Sequence, residues 1–335
     1  MKTPLPRLAL LLTAGLVLAA CGGDKVQPAA PAPVVQAPPP EITIGLALGG
    51  GAAKGFAHIG VIKMLEANGI QADVVAGTSA GSVVGALYAS GMTPYRMQQE
   101  AFALDESRIR DVSLFSGGLV KGQKLQDFLN GLVGNRPMER FPKPFAAVAT
   151  RLDTGERTVF VRGNAGQAVR ASCSIPGVFE PARIGDGRYV DGGVDSPVPV
   201  DAARQLGADI VIAVDISSKA GGNRPGNMLG IVNQSITIMG QRLGEQEMAR
   251  ADVVIRPRVG RIGSADFDQK NVAILEGEQA AQAAMPQIRA RIAALQRARA
   301  AALAPPPAAE PACEPGMLDR LGRVIGREGK CGAGQ

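Results

Sequence analysis

The chain has no tryptophan, only 4% aromatic residues and a single histidine, His58, among 335 residues. With so few rings the core has to be filled by Val, Ile, Leu and Ala, the usual filling of a buried parallel sheet. The same scarcity leaves no interleaving of basic and aromatic side chains, so nothing points to a nucleic-acid surface. One histidine also means that a Ser-His-Asp triad has one possible member and no spare. Charge of either sign is not in marked excess: the formal net charge of +6 falls to +4 if Lys2 and Arg7 are removed with the N-terminal segment, because that segment carries no acids. What the chain does have is 46% hydrophobic against 20% charged residues, which suits one sizeable globular domain with length left for tails rather than two full domains.

Met1 to Ala20 places Lys2 and Arg7 before an apolar run from Leu8 that ends in small residues, the pattern of an export signal. It is too short to span a bilayer. Leu18-Ala19-Ala20-Cys21 resembles the bacterial lipobox, which implies cleavage before Cys21, lipid on its sulfur and anchoring to a membrane of the bacterial envelope, with Gly22 rather than Asp next in line favouring the outer membrane facing the periplasm. Ordinary secretion with Cys21 incidental is the alternative. Residues 21–41, rich in Pro and Ala, read as an extended tether, residues 42–302 as the folded domain, and 303–335 as a Pro-rich C-terminal tail. Cys173 lies in an apolar, Ser-flanked stretch and reads as a buried small residue. Cys313 and Cys331 bracket the tail, where an oxidising compartment is compatible with a disulfide. Arg289, Arg291, Arg297 and Arg299 sit on a late Ala-rich helix, as a solvated face or a contact for anionic headgroups.

Strand and helix patterns alternate through the domain. Ile42 to Leu48 reads as a first strand, Gly55 to Asn68 as a helix, Ala72 to Ala76 as a second strand, and a further helix runs to about Ser90. Helices are expected over Pro94 to Leu104, Lys121 to Val133 and Ala165 to Ser172, with Ser113 to Gly118 as a loop bordering a pocket. Strands are expected over Phe145 to Arg151, Thr158 to Arg162, Arg188 to Val190 and Ala208 to Asp215. Beyond them come a flexible loop at Gly221 to Gly226, a long helix over Leu229 to Met248, a last strand over Asp252 to Arg256 and an Ala-rich helix over Ala265 to Ala302, broken at Pro286 if proline acts there as it commonly does. The alternation implies an α/β fold: three layers, α/β/α, around a mostly parallel central sheet.

Three motifs carry chemistry. Gly77-Thr78-Ser79-Ala80-Gly81 sets a serine between two glycines where a strand gives way to a helix, a turn that exposes a nucleophile; a tight packing turn would look the same. Gly49-Gly50-Gly51-Ala52-Ala53-Lys54-Gly55 offers consecutive backbone N–H groups at a helix start, with Gly50, Gly51 and Ala52 as donors for an oxyanion. Its spacing fails both the dinucleotide and the Walker templates, so no nucleotide is expected. Lys54 reads as an anchor of that loop through a carboxylate, or as a direct oxyanion contact. Asp191-Gly192-Gly193 follows a short strand and leaves room for substrate, which makes Asp191 the best-placed base. Asp186 reads as a hairpin tip and Asp195 as a loop cap. His58, one turn into the first helix, reads as a clamp on the sheet, with the role of base as the alternative.

Phe56-Ala57-His58-Ile59-Gly60-Val61 and the run Ala171-Ser172-Cys173-Ser174-Ile175-Pro176-Gly177-Val178-Phe179-Glu180-Pro181 complete the pattern. With these five segments in order, the chain from Ile42 to Ala302 resembles the patatin-like phospholipase family, in its bacterial single-domain branch. The resemblance implies a Ser79–Asp191 dyad, an oxyanion loop at Gly50, Gly51 and Ala52, support from Gly49, Lys54, Gly55, Gly77, Gly81, Gly192 and Gly193, and no cofactor, metal or nucleotide. The expected partners are phospholipid or another acyl ester and, through Cys21, a membrane. The family loop commonly has Arg where Lys54 stands, and Lys cannot make the same forked contact. A non-catalytic lipid-binding envelope protein of the same fold and a soluble esterase for small esters are the alternatives.

Overall fold

A computed structural model describes residues 41–112, 119–220 and 226–303. The segments read as signal and tether, with Cys21, the expected loop at Ser113 to Gly118, residues 221–225 and the C-terminal segment with Cys313 and Cys331 lie outside the described residues.

Eight strands form one sheet. Five of them run parallel in the order β3 (Phe145–Arg151), β2 (Val74–Thr78), β1 (Ile44–Leu48), β7 (Ile210–Val214) and β8 (Val253–Ile255). Their side chains alternate between two cores, as the period of a strand requires. Leu46, Leu48, Val75, Phe145, Ile210 and Ile212 face one side, and Ala47, Val74, Ala76, Ala146, Val148, Val211 and Ala213 face the other. The first core is covered by α1 (Phe56–Ala67), α2 (Ala80–Ala89), α3 (Pro94–Ala103), α4 (Gln123–Leu132), α5 (Ala165–Ser172) and the long α8 (Lys270–Leu303), and the second by α6 (Val200–Gln205) and the end of α7 (Met228–Met248). This is the three-layer α/β arrangement expected.

The far end of the sheet departs from parallel order, and that departure builds the site. Strand β4 (Arg157–Phe160) pairs antiparallel with Ala147 to Thr150 of β3, while β6 (Gly187–Asp191) pairs antiparallel with Ala149 to Arg151 and carries β5 (Ala182–Ile184) beyond it. Residues Ala147 to Thr150 already meet β4 on one edge, so β2 and β6 must share the other, end to end. Thr78 is therefore opposite Val148 and Asp191 opposite the next residue, Ala149. Two segments more than a hundred positions apart meet because one strand is long enough to serve both.

Most boundaries agree with the sequence reading to within two residues. Strands β1 and β2 start two residues later than expected, and Asp186 does sit in the turn between β5 and β6. The three-residue β5 and the six-residue α6 have no clear sequence signal and were not anticipated. Helix α8 starts at Lys270, not Ala265, and continues through Pro286, which lies on its exposed side, as does Gln282, whose carbonyl the proline leaves without its helical donor. Three of its four arginines are tied down. Arg291 pairs with Asp252 at 2.7 Å, Arg299 pairs with Asp209, and Arg289 donates to Asn68 at 3.1 Å, so they fasten α8 to the segments just before β8 and β7 and to the end of α1, while Arg297 is exposed. Among the described residues no helix is long and apolar enough to cross a membrane.

Candidate active site

Ser79 lies between β2 and α2 with φ +53° and ψ −125°, a conformation L side chains rarely adopt and one that stores strain where it occurs. Its neighbours permit it by being small. A Cβ on Gly77 would stand 2.4 Å from the Gly81 carbonyl oxygen, and one on Gly81 would stand 2.1 Å from that of Leu48. The turn therefore nests against the end of β1 with no room for any other residue at 77 or 81. Ser79 caps the N-terminus of α2, whose dipole favours negative charge on its oxygen.

Asp191 ends β6 in a buried position. Its Oδ1 accepts from the Gly193 N–H at 2.7 Å. Its Oδ2 is buried with no hydrogen-bond partner. The Ser79 hydroxyl comes close enough to lower the Asp191 pKa, but too loosely for a hydrogen bond of ordinary geometry. Desolvation outweighs both contacts and raises the carboxyl from 3.8 to about 6. A buried carboxylate left half-satisfied is costly, and this one faces the strained serine.

The sequence motif between Ala171 and Pro181 ties the two together, a role that spacing could not reveal. The Ser79 N–H donates to Ser172 Oγ at 2.9 Å, and that hydroxyl donates to the Val148 carbonyl at 2.6 Å. Two residues on, the Ser174 carbonyl accepts the Asp191 N–H at 2.8 Å. Cys173, between them, is a free buried thiol, and burial raises its pKa further from ionisation.

The glycine loop supplies two amides, not three. Gly49 N–H donates to Val214 and Gly50 N–H to Pro197, each at 3.0 Å, so Gly50 is committed to holding the loop and is not an open donor. The N–H groups of Gly51 and Ala52 have no partner among the described residues. Ala52 has φ +52°, a second rare backbone angle, and it begins the 3-10 turn Ala52–Gly55. Gly55 must be small because a Cβ there would meet Ala80 at 2.7 Å, and Gly192 because its Cβ would stand 2.2 Å from the Val148 carbonyl. Lys54 is buried and anchors the loop, but through a hydroxyl: its Nζ donates to Ser218 Oγ at 2.6 Å, and burial lowers its pKa against the opposing pull of the nearby Asp215.

Two further residues stabilise this end of the loop. Glu247 of α7 accepts from Ser196 Oγ at 2.5 Å and from the Val198 N–H at 2.9 Å. The intervening Pro197 carbonyl is the one that receives Gly50, and Ser196 presents its carbonyl to Thr78 Oγ1 at 2.8 Å. Burial raises the Glu247 pKa to about 7. Asp195 lies apart, paired with Arg157 at 2.7 Å.

His58 is fully buried with its Nε2 2.8 Å from the Gly49 carbonyl. It donates there, and desolvation lowers its pKa to about 4, so it is neutral under ordinary conditions and holds the start of the glycine loop. His58→Ala is expected to cost about 2 to 4 kcal/mol in stability, from the vacated volume and the orphaned carbonyl. Any activity that remains should keep its acid limb near pH 6. Urea unfolding and a pH–rate profile check the two halves; loss of the limb would make His58 the base.

An apolar cavity of about 180 Å³ opens beside Ser79, with Val83, Leu87, Met97, Leu125 and Phe128 among its walls. The Ser79 hydroxyl thus sits by a half-satisfied carboxylate, and the apolar chamber it lines is also bordered by Ala52, whose amide is open. Residues 46–204 match the patatin-like phospholipase family. The patatin-like segment includes Ser79, Asp191 and the glycine loop, and ends within α6. An uncharacterized NTE family protein of Mycobacterium tuberculosis is 38% identical over 183 residues, which is 53% of this chain and 50% of that protein. The mouse patatin-like phospholipase domain-containing protein 6 is 34% identical over 185 residues, covering 53% of this chain and 14% of that protein. The lysophospholipase NTE1 of Pyricularia oryzae is 34% identical over 182 residues, 52% of this chain and 12% of that one. The chain thus spans half or less of the length of these relatives. Among solved structures VipD of Legionella pneumophila has a similar fold, with a TM-score of 0.51 at 16% identity, covering 75% of this chain and 67% of that one.

Proposed function

We propose that the domain is a serine acyl-ester hydrolase acting on phospholipids, lysophospholipids or related acyl esters. The observation that carries this is the buried Asp191 Oδ2, left without a partner beside the strained Ser79. Ser79 Oγ attacks the ester carbonyl carbon as its proton passes to Asp191. The carbonyl oxygen, now negative, is held by the N–H groups of Gly51 and Ala52. The tetrahedral species collapses, the alcohol leaves with the proton from Asp191, and the acyl group stays on Ser79. Asp191 then takes a proton from water, the hydroxide attacks the acyl carbon, and the fatty acid departs as Ser79 regains its proton. A carboxyl with a pKa of about 6 is ionised at neutral pH yet more basic than an ordinary aspartate, which suits both halves.

The fungal lysophospholipase and the mouse patatin-like phospholipase domain-containing protein among the relatives support a lipid substrate, as does the apolar cavity. A fluorophosphonate probe is expected to label Ser79 alone, at a rate that falls about tenfold per pH unit below pH 6. A protein that remains unlabelled at pH 8 while folded is not this enzyme. The tethered location is part of the same proposal: palmitate fed to cells should enter the protein and be lost in Cys21→Ala.

A further inference from the structure

The cavity beside Ser79 follows one helix. Ser79, Ala80, Val83, Val84 and Leu87 line it, the three-and-four spacing of a single face of α2. From Ser79 to Leu87 that face runs about 12 Å, the reach of an extended acyl chain of roughly eight to ten carbons. Immediately beyond, Ser90, Gly91 and Met92 line a second pocket that is polar, with Arg96 and Arg136 in its walls. Glu100 and Leu132 border both spaces. The two chambers are therefore consecutive along α2, with these side chains as the partition.

The charged part of that partition is one side chain thick. Arg96 approaches Glu100 Oε1 at 2.6 Å from α3, one turn away, and the Glu100 side chain is mostly covered. Arg136 is fixed elsewhere, donating to the Ser90 carbonyl at 2.6 Å and to the Val133 carbonyl at 3.1 Å. A hydrocarbon that reaches Glu100 meets a carboxylate, which it cannot solvate. We infer that the Arg96–Glu100 pair is the end-stop of the acyl chamber and sets the length of acyl chain the site accepts, and that removing it joins the two pockets into a longer channel.

This rests on the hydrolase reading of Ser79, and the experiment has two arms so that the two can fail separately. In the first, kcat/KM is measured for p-nitrophenyl butyrate, octanoate, decanoate, laurate and palmitate. The native protein should peak at octanoate to laurate, and Glu100→Ala should raise the palmitate-to-octanoate ratio by about tenfold. Arg96→Ala, which unpins the carboxylate, should shift it the same way by less. In the second arm, the dissociation constants of octanoic and palmitic acid are measured on protein carrying Ser79→Ala, with and without Glu100→Ala; the same shift is expected with no chemistry involved. If no ester is cleaved but the binding ratio moves, the hydrolase reading falls and the end-stop stands. Ratios within about twofold of the native protein in both arms, or a native optimum already at palmitate, overturn the inference. Glu100→Gln, which keeps the shape and removes the charge, serves if Glu100→Ala fails to fold and should move the ratio in the same direction.

Discussion

Asp191→Asn is expected to remove nearly all turnover while making the domain more stable. The loss should be on the order of 10³-fold to 10⁴-fold in kcat, because an amide of the same shape cannot accept the proton from Ser79. The gain follows from the carboxyl's pKa of about 6 in the fold against 3.8 outside it. A raised carboxyl pKa means that the folded state disfavours the ionised form. Stability tied to this group is complete below pH 4 and is lost as pH rises through 6, reaching a penalty of about 3 kcal/mol at neutral pH. Asn releases up to that amount, less whatever its own buried amide forgoes. Urea unfolding of both proteins at pH 7.5 should place the variant about 1 to 3 kcal/mol above the native chain. At pH 4 the gap should close. A variant that is less stable at pH 7.5 would refute the claim that this carboxylate is held at a cost for chemistry.

Ser79→Ala should lower kcat by about 10³-fold or more without raising KM in proportion, because the acyl cavity is unchanged and the covalent route is gone. The native enzyme should show a burst of the released alcohol before steady state, and the variant none. Ser79→Gly separates chemistry from strain. With φ at +53°, glycine relieves the backbone and should stabilise the domain by roughly 0.5 to 2 kcal/mol, while Ala keeps the strain. If both variants have native stability, the turn is not strained in the way its angles indicate. If Ser79→Ala retains more than about a tenth of native turnover, the nucleophile lies elsewhere.

The strained turn at Ser79 and its glycines were legible because each is a local demand. A strand ending in Gly77-Thr78-Ser79-Ala80-Gly81 admits few readings once a helix follows. The glycine loop was read one residue too generously. Its sequence offers three consecutive amides, but Gly50 is drawn to the Pro197 carbonyl, and Pro197 belongs to a segment whose approach depends on Glu247. Ser172 and Glu247 were missed for the same reason. Each acts through a partner dozens of positions away, and a serine or glutamate in a helical stretch carries no mark of that. Lys54 was read as an anchor through a carboxylate or as an oxyanion contact, and its hydrogen-bond partner is Ser218.

The sequence by itself determined the alternation of apolar runs, the places where only glycine fits, and that a single histidine is present. These are properties of short stretches, set by sterics and by the period of strand and helix. The tertiary structure decided which carboxylate meets the serine and which amides stay open. Asp191 reaches Ser79 because β3 extends past the end of β2 and pairs β6 along the same edge. Strand length and register across a sheet are settled by packing between distant segments, and only the closed fold takes water away from Oδ2 and so lifts the Asp191 pKa above that of an ordinary aspartate.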